Sequence, residues 1–241
     1  MGKKKVVAFV QARMGSSRLP GKHLLPLGDK PMLSRLLERL RRAKRVDQVV
    51  LATTVLPRDN CLAELAVGEK IPFYRGSEEN VLERFYEAAQ HFEADVLVRI
   101  TADCPLLDPA LIDEAVAFFQ ARPRDYVNNL QAYPLGMSVE VFSQRSFQKI
   151  YEEAQKPEEQ EHVTPYYYRH PEIFKLAFLP KKAHPGYRLT VDTPEDFTLI
   201  SKIFEALYPH NPNFSLQDIY VLLKEHPTWA QINAHIEQKK V

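Results

Sequence analysis

The apolar run Val6-Val7-Ala8-Phe9-Val10, and the loop that breaks it, constrain this chain more than any other stretch. Such a run is long enough for one buried strand and too short for anything larger. It gives way to Gln11-Ala12-Arg13-Met14-Gly15-Ser16-Ser17-Arg18-Leu19-Pro20-Gly21-Lys22, which holds two glycines, two serines and three cations. Gly15 and Gly21 let backbone amides approach an anion closely, Ser16 and Ser17 add donors, and Arg13, Arg18 and Lys22 bring charge. A loop of this kind leaving a strand is suited to a polyphosphate. An ordinary solvated basic loop is the competing reading; the joint occurrence of strand, glycines and cations speaks against it.

Two familiar phosphate-binding patterns do not fit. The P-loop needs G-x-x-x-x-G-K followed by Ser or Thr. Here five residues separate Gly15 from Gly21, and His23 stands where the magnesium-binding hydroxyl belongs. The dinucleotide pattern G-x-G-x-x-G is missing from this loop as well.

The string from Gln11 to Lys22 resembles the nucleotide-binding loop of the spore-coat polysaccharide biosynthesis family of cytidylyltransferases, relatives of the CMP-Kdo and CMP-sialic acid synthetases. The resemblance continues through Gly76-Ser77-Glu78-Glu79-Asn80-Val81-Leu82, the Asp103 region, the Glu140 strand, Glu161-His162-Val163-Thr164-Pro165 and Leu189-Thr190-Val191-Asp192-Thr193-Pro194-Glu195-Asp196. It implies one α/β domain over residues 1–241, with the nucleotide-diphospho-sugar transferase-like (Rossmann-like) three-layer fold and a mostly parallel sheet. It also implies transfer of CMP from CTP to an acidic sugar or related acceptor for surface polysaccharide synthesis, with Mg2+ as cofactor, and it is compatible with a homodimer.

By the same resemblance Gln11, Ala12, Arg13, Gly15, Ser16, Ser17, Arg18, Lys22, Ser77, Asn80 and Thr101 contact the nucleotide. Asp103 and Asp192 hold the metal, Glu140 and His162 the acceptor, and Arg13, Lys22 and Asp103 carry the chemistry. Structural readings stand beside these: a helix cap explains Ser77, a buried cation would explain Glu140, and His162 is explained by packing. Gln11 departs from the proline usual in the sugar-acid synthetases. Ser138 follows Gly136-Met137 where related spore-coat proteins commonly show an acid, which bears on the acceptor more than on the nucleotide.

Composition excludes several classes. A chain of 241 residues can bury a sizeable core. With a net charge of only +1, strong attraction to nucleic acid or an anionic membrane is not indicated. The two cysteines, Cys61 and Cys104, lack CxxC spacing, so neither a disulfide scaffold nor a structural zinc site is expected, and a reducing cytoplasm fits. No secretory leader is expected, because no cleavage site follows the short N-terminal apolar run. Nothing approaches the ~20 apolar residues of a membrane span. Lys3, Lys4 and Lys5 read as a solvated terminus.

Along the chain, strands and helices alternate. Pro31 is placed to start a helix with Met32, Leu33, Leu36, Leu37 and Leu40 on one face and Arg41, Arg42, Lys44 and Arg45 closing it. Val49–Thr53 reads as a strand, Asp59–Val67 as a short helix, and Ile71–Tyr74 as a strand. Ser77 is expected to cap a helix that buries Val81, Leu82, Phe85, Ala88, Ala89 and Phe92. Val96–Ile100 is an interior strand, and Asp108 with Pro109 begins the next helix. This alternation favours a doubly wound, mostly parallel sheet.

From about 126 to 186 the pattern changes, and the region reads as an insertion of the same domain carrying the acceptor pocket and a dimer contact. It holds a turn at Tyr133–Gly136, a strand at Val139–Phe142, a helix at Phe147–Ala154 and a strand at Phe174–Leu179. Tyr187–Val191 is expected to be a strand delivering Asp192, with Thr193 and Pro194 starting a helix. Ser215 and Asp218 form a capping box, and a last amphipathic helix with Trp229, Ile232 and Ile236 follows Pro227.

Asp103 and Asp192 would then both end strands at the edge where open α/β sheets place their ligands. Two carboxylates opposite a cationic loop describe a magnesium site with few protein ligands, since magnesium keeps waters and takes one or two carboxylates plus phosphate oxygens. Asp192 as a mere helix-terminus charge is the structural alternative. The implied reaction is displacement at the α-phosphate of CTP, with Arg13, Arg18 and Lys22 neutralising the phosphates. No general base stands out among the eight histidines. Two other functions are weighed: a glycosyltransferase of similar fold, which generally needs the Asp-x-Asp that Asp103-Cys104-Pro105 lacks, and a non-catalytic nucleotide-binding protein.

Overall fold

The computed structural model describes residues 2–238. Its strands are β1 (Val6–Gln11), β2 (Pro26–Leu27), β3 (Lys30–Pro31), β4 (Gln48–Thr54), β5 (Phe73–Gly76), β6 (Val96–Thr101), β7 (Tyr126–Asn128), β8 (Glu140–Ser143) and β9 (Leu176–Phe178). Its α-helices are α1 (Met32–Leu40), α2 (Asn60–Gly68), α3 (Val81–His91), α4 (Pro109–Gln120), α5 (Gln144–Glu153), α6 (Pro157–His162), α7 (Pro165–Arg169), α8 (Pro194–Leu207), α9 (Leu216–Glu225) and α10 (Pro227–Ala230). Seven strands form one sheet in the order β5-β4-β1-β6-β8-β7-β9, while β2 and β3 make a separate small hairpin.

Pairing is parallel throughout β5-β4-β1-β6 and between β7 and β9; β8 runs against both of its neighbours. The parallel half is buried on both faces, which is why its strands read as continuous apolar runs. Alternate residues of β1 enter different cores: Val6, Ala8 and Val10 join one cluster, Val7 and Phe9 the other. The first cluster is closed by α1, α2, α4, α8 and α9, the second by α3, α5 and α7. The result is the three-layer α/β fold expected from the sequence.

The order of strand addition reverses between β1 and β6, which remain parallel. From β1 the order runs outward through β4 to β5, whereas β6 lies on the other side of β1. Loops leaving the carboxyl ends of β1 and β6 therefore part company and leave a crevice at that switch point.

Several local expectations need correction. Tyr187–Val191 is not a strand. It makes a single bridge, Leu135 to Arg188, and otherwise lies across loops: Leu189 N–H donates to Leu135 O at 2.8 Å and Val191 N–H to Asp103 O at 2.8 Å. Asn80, not Ser77, caps α3, accepting from Glu83 N–H at 3.0 Å, while Ser77 Oγ accepts from Asn80 N–H at 3.0 Å. The Gly76–Ser77 backbone is still leaving β5 at that point, so the helix begins later.

Strand β5 lies two residues beyond the predicted Ile71–Tyr74. Pro31 is the residue before α1, and that helix stops at Leu40, short of the four cations; Arg42 reaches back to Glu38 at 2.7 Å. The helix after Pro227 lasts one turn, because Asn233 turns inward to bond Arg188 O at 2.9 Å and Asp196 Oδ1 at 2.8 Å. Strand β7, too short for a clear alternation, is an addition to the sequence reading. The caps at Asp108, Thr193 and Ser215 form as expected.

Gly136 fixes the Tyr187–Asp192 segment against the body. Its φ is +94°, and a Cβ there would meet Leu189 C and O at 2.3 Å. A side chain adds both left-handed strain and a backbone clash. Gly136→Ala should lower unfolding free energy by roughly 2–4 kcal/mol, the sum of strain and overpacking, measured by urea denaturation; a loss below about 1 kcal/mol would show that the segment moves freely.

Candidate active site

At the switch point lies an open cleft of about 250 Å³, lined by Gln11, Arg13, Gly15, Ser16, Ser17, Arg18, Lys22, His23, Thr101, Ala102, Asp103 and Asp192. Three separate pieces of chain supply it: the loop after β1, the loop after β6, and the turn before α8. Of the predicted site residues, ten meet here: Gln11, Arg13, Gly15, Ser16, Ser17, Arg18, Lys22, Thr101, Asp103 and Asp192. Ala12 does not line the cleft; its side chain is core and its N–H donates to Ala52 O at 3.2 Å. Ser77 and Asn80 also lie off the cleft wall, occupied by the turn before α3.

Lys22 is the centre of the arrangement. It is 7% exposed, and its ammonium donates to Val191 O at 2.7 Å and Asp192 Oδ1 at 3.0 Å, with Asp103 Oδ2 at 3.6 Å. A buried ammonium is tolerated only with such partners. Asp192 further faces Arg18 at 3.0 Å and Arg188 at 2.8 Å. Burial works against its charge, but Lys22, Arg18 and Arg188 outweigh that and hold the carboxyl below the usual range. His23 goes the other way: burial first, and Lys22 beside it, push its imidazole well down, so it stays neutral at pH 7.

The turn carrying Asp192 is itself clamped from below. Asp196, fully buried, accepts from Arg188 Nε at 2.8 Å, Asp192 N–H at 2.9 Å, Thr193 N–H at 3.1 Å and Asn233 Nδ2 at 2.8 Å. Asp103 is positioned through its backbone: its carbonyl accepts from Val191 N–H and from Thr190 Oγ1, at 2.8 and 3.2 Å. Buried Arg39 of α1 secures the same loop by donating to Leu107 O and Leu106 O at 3.1 and 3.3 Å, and burial lowers its pKa to about 10.

Asp59 does the corresponding work for the cationic loop. It is fully buried, accepts from Met14 N–H at 2.6 Å, and takes the Thr54 hydroxyl on its other oxygen. In the sequence Asp59 reads only as a helix start. Its partners come from β4 and from the loop, a juxtaposition that spacing alone does not reveal. Arg13 reaches Glu78 O at 3.4 Å and comes within 3.7 Å of Glu161, linking the loop to α6.

A second cavity of about 670 Å³ adjoins the first, lined in part by Arg99, Glu140, His162, Thr164 and Tyr168. Glu140 and Arg99 sit directly opposite on β8 and β6 and pair at 2.5 Å. Tyr126 OH and Thr164 Oγ1 also donate to Glu140, at 2.5 and 2.7 Å. Burial opposes its charge, yet Arg99 and these donors keep its pKa below the ordinary value. Arg99 bonds Gln11 Oε1 at 3.2 Å, so one row of side chains joins the two cavities.

Among the described residues no cluster of three or more His, Cys, Asp or Glu could hold a metal ion. The two carboxylates around Lys22 are what the chain offers a cation here, and hard oxygens in that number suit magnesium, which retains its own waters.

Two measurements test this geometry. Because the folded Asp192 pKa is depressed, its contribution to stability is full above the unfolded value and is lost as pH falls through the folded one. The destabilisation caused by Asp192→Asn should therefore be greatest near neutrality and shrink below roughly pH 4, read as the difference in Tm between the variant and the native chain. Asp59→Ala leaves the Met14 N–H without its partner and should lower unfolding free energy by about 1–3 kcal/mol, with Asp59→Asn losing less, in chemical denaturation.

The comparisons agree with this architecture. The family model for cytidylyltransferases matches residues 7–240. The spore coat polysaccharide biosynthesis protein SpsF of Bacillus subtilis is 35% identical over 233 residues, covering 93% of this chain and 96% of that one. A solved cytidylyltransferase from Leptospira borgpetersenii superposes with a TM-score of 0.90 at 34% identity, covering 98% of this chain and 100% of the other. A CMP:2-keto-3-deoxy-manno-octonic acid synthetase solved with CTP shares the fold at a TM-score of 0.62 and 22% identity, over 84% of this chain and 99% of that one. The chain belongs to the cytidylyltransferase family and is a nucleotidyltransferase enzyme.

Proposed function

We propose that the protein transfers CMP from CTP to an acidic sugar, or a related acceptor, with release of pyrophosphate, in the making of a surface polysaccharide. The observation that carries this reading is the meeting of Arg13, Arg18 and Lys22 with Asp103 and Asp192 around one cleft, beside a second cavity of acceptor size. Kinship with SpsF supports the polysaccharide role.

In this reading the backbone around Gly15 and the Ser16 and Ser17 hydroxyls receive the triphosphate, while Arg13 and Arg18 face its charge. Lys22 keeps Asp103 and Asp192 from repelling one another and stands ready to neutralise charge that builds on the phosphates, the main source of catalysis in phosphoryl transfer. Asp103 and Asp192 would hold Mg2+. Bound magnesium would supply further neutralisation of the phosphates and acidify the attacking hydroxyl or carboxylate. Gln11 in the wall of the first cavity and Arg99 in the wall of the second are hydrogen-bonded to each other and would orient the two substrates toward each other.

His162, Thr164 and Tyr168 would line the acceptor side, in the 126–186 segment. Glu140, already neutralised by Arg99, would act there as a fixed acceptor of a hydroxyl hydrogen bond rather than as a base. We take the enzyme to work in the cytoplasm, where CTP is supplied, and as a homodimer through the 126–186 segment; no helix among the described residues is long and apolar enough to cross a membrane.

Incubation with each nucleoside triphosphate, magnesium and a panel of keto-sugar acids should release pyrophosphate with CTP alone. CTP with magnesium at one hundred times Kd should stabilise the fold by about 2.7 kcal/mol, a Tm rise of roughly 5–10 °C. Asp103→Asn should cut kcat by about 10²-fold or more with Tm nearly unchanged. Free UDP from UDP-sugars without pyrophosphate would replace this reading with a glycosyltransferase, and CTP binding without turnover on any acceptor class would leave a binding protein.

A further inference from the structure

The opposite, amino-terminal edge of the sheet carries a feature that nucleotide transfer does not use. Two adjoining cavities, of about 480 and 340 Å³, share Lys4, Pro123 and Arg124 in their walls. Together they are ringed by six cations: Lys4, Arg122, Arg124, Arg145, Lys149 and Lys175. The lone carboxylate in those walls is Asp125, and its Oδ2 already accepts the Lys175 N–H at 2.8 Å.

Most of these cations are unspent. Among the described residues Lys4, Arg122, Arg145 and Lys175 have no carboxylate within ion-pair distance; Lys149 has Glu153 at 3.9 Å, and Arg124 lies over the Phe118 ring at 4.1 Å. The whole chain is only +1, so the remainder of the molecule is net negative while this trough is strongly positive. Converging like charges oppose the compact state, and in a concave space their fields add rather than cancel.

Besides its cations, the trough wall carries one exposed large apolar side chain, Ile173, and few free hydrogen-bonding groups. The hydroxyls in its wall are committed: Ser143 Oγ accepts from Ser146 N–H at 3.1 Å, and Ser146 Oγ bonds Asp125 O and Tyr167 OH at 3.0 and 2.8 Å. Phe174 is only 6% exposed, so it presents no face on which a base could stack. A neutral sugar polymer would find few of its own groups recognised, and a nucleic acid would be held by its phosphates with its bases unstacked. A chain of phosphates would find Arg forks and Lys point charges along its length.

We propose that this trough binds a linear polyphosphate chain, at a site separate from the nucleotide cleft. The proposal does not rest on the CMP-transfer reading, and its test uses binding alone. Affinity for a short labelled linear polyphosphate would be measured by anisotropy over a salt series. The full chain would be compared with the triple variant Lys4→Glu/Arg145→Glu/Lys175→Glu and with Lys22→Ala in the cleft. The triple variant should bind about tenfold more weakly or worse, and the log–log salt slope should fall by about two, as expected for three lost phosphate contacts. Lys22→Ala should leave the affinity within about twofold of the native chain.

The Tm of the triple variant confirms its fold. Should it not fold, Arg145→Gln and Lys175→Gln separately should each weaken binding by roughly two- to threefold and lower the slope by a little less than one. Unchanged affinity in the charge variants, loss confined to Lys22→Ala, or tighter binding of single-stranded DNA of matched charge would each overturn the assignment.

Discussion

The cleft depends on an ammonium group being buried where two carboxylates would otherwise repel each other. Lys22 comes from the loop after β1, Asp103 from the loop after β6, and Asp192 from the turn before α8, and nothing in their local sequence forces them together. Taking any one charge out of water alone would be strongly unfavourable; held together, and with Val191 O accepting from the lysine, each makes the others tolerable. Asp196 and Arg188 beneath the turn, Arg39 beneath the Asp103 loop and Asp59 beneath the cationic loop hold the three segments at that spacing. The site is therefore a set of loops braced from inside the protein by buried charge.

That bracing also marks where sequence reading succeeds and where it fails. Runs such as Val6–Val10 and Val96–Ile100 announce themselves because strands buried on both faces tolerate little but apolar side chains. Caps at Asp108, Thr193 and Ser215 are readable because the donor and acceptor lie within a few residues of each other. The cationic loop and both aspartates are legible as chemistry because residue type alone carries their charge. Hidden from view were the pairings between distant residues: Asp59 with Met14, Arg39 with Leu107, Asn233 with Asp196. Tyr187–Val191 shows the same limit from the other side. Its alternation is that of a strand, yet Arg188 turns inward to Asp196 and the segment crosses loop ends instead of joining the sheet.

The two cavities are not independent walls. Gln11, Arg99 and Glu140 form one hydrogen-bonded row across β1, β6 and β8 on the face covered by α3, with Tyr126 and Thr164 closing its far end. Every charge in that row is matched, so it is stiff, and it fixes the separation between whatever occupies the two spaces. Positioning of this kind is a large part of what a transferase can contribute to a reaction between two bound molecules.

The reversal of β8 decides which stretch of chain encodes each cavity. Because this strand runs against its neighbours, Glu140 at its start, and not its last residue, reaches the ligand-facing rim, and the chain visits that rim again in α6 and α7 before leaving through β9. The larger cavity is thus written mostly in one uninterrupted passage of the polypeptide, while the residues lining the smaller one lie in passages before and after it. Substitutions confined to that single passage can reshape the larger cavity and leave the lining of the smaller one in place.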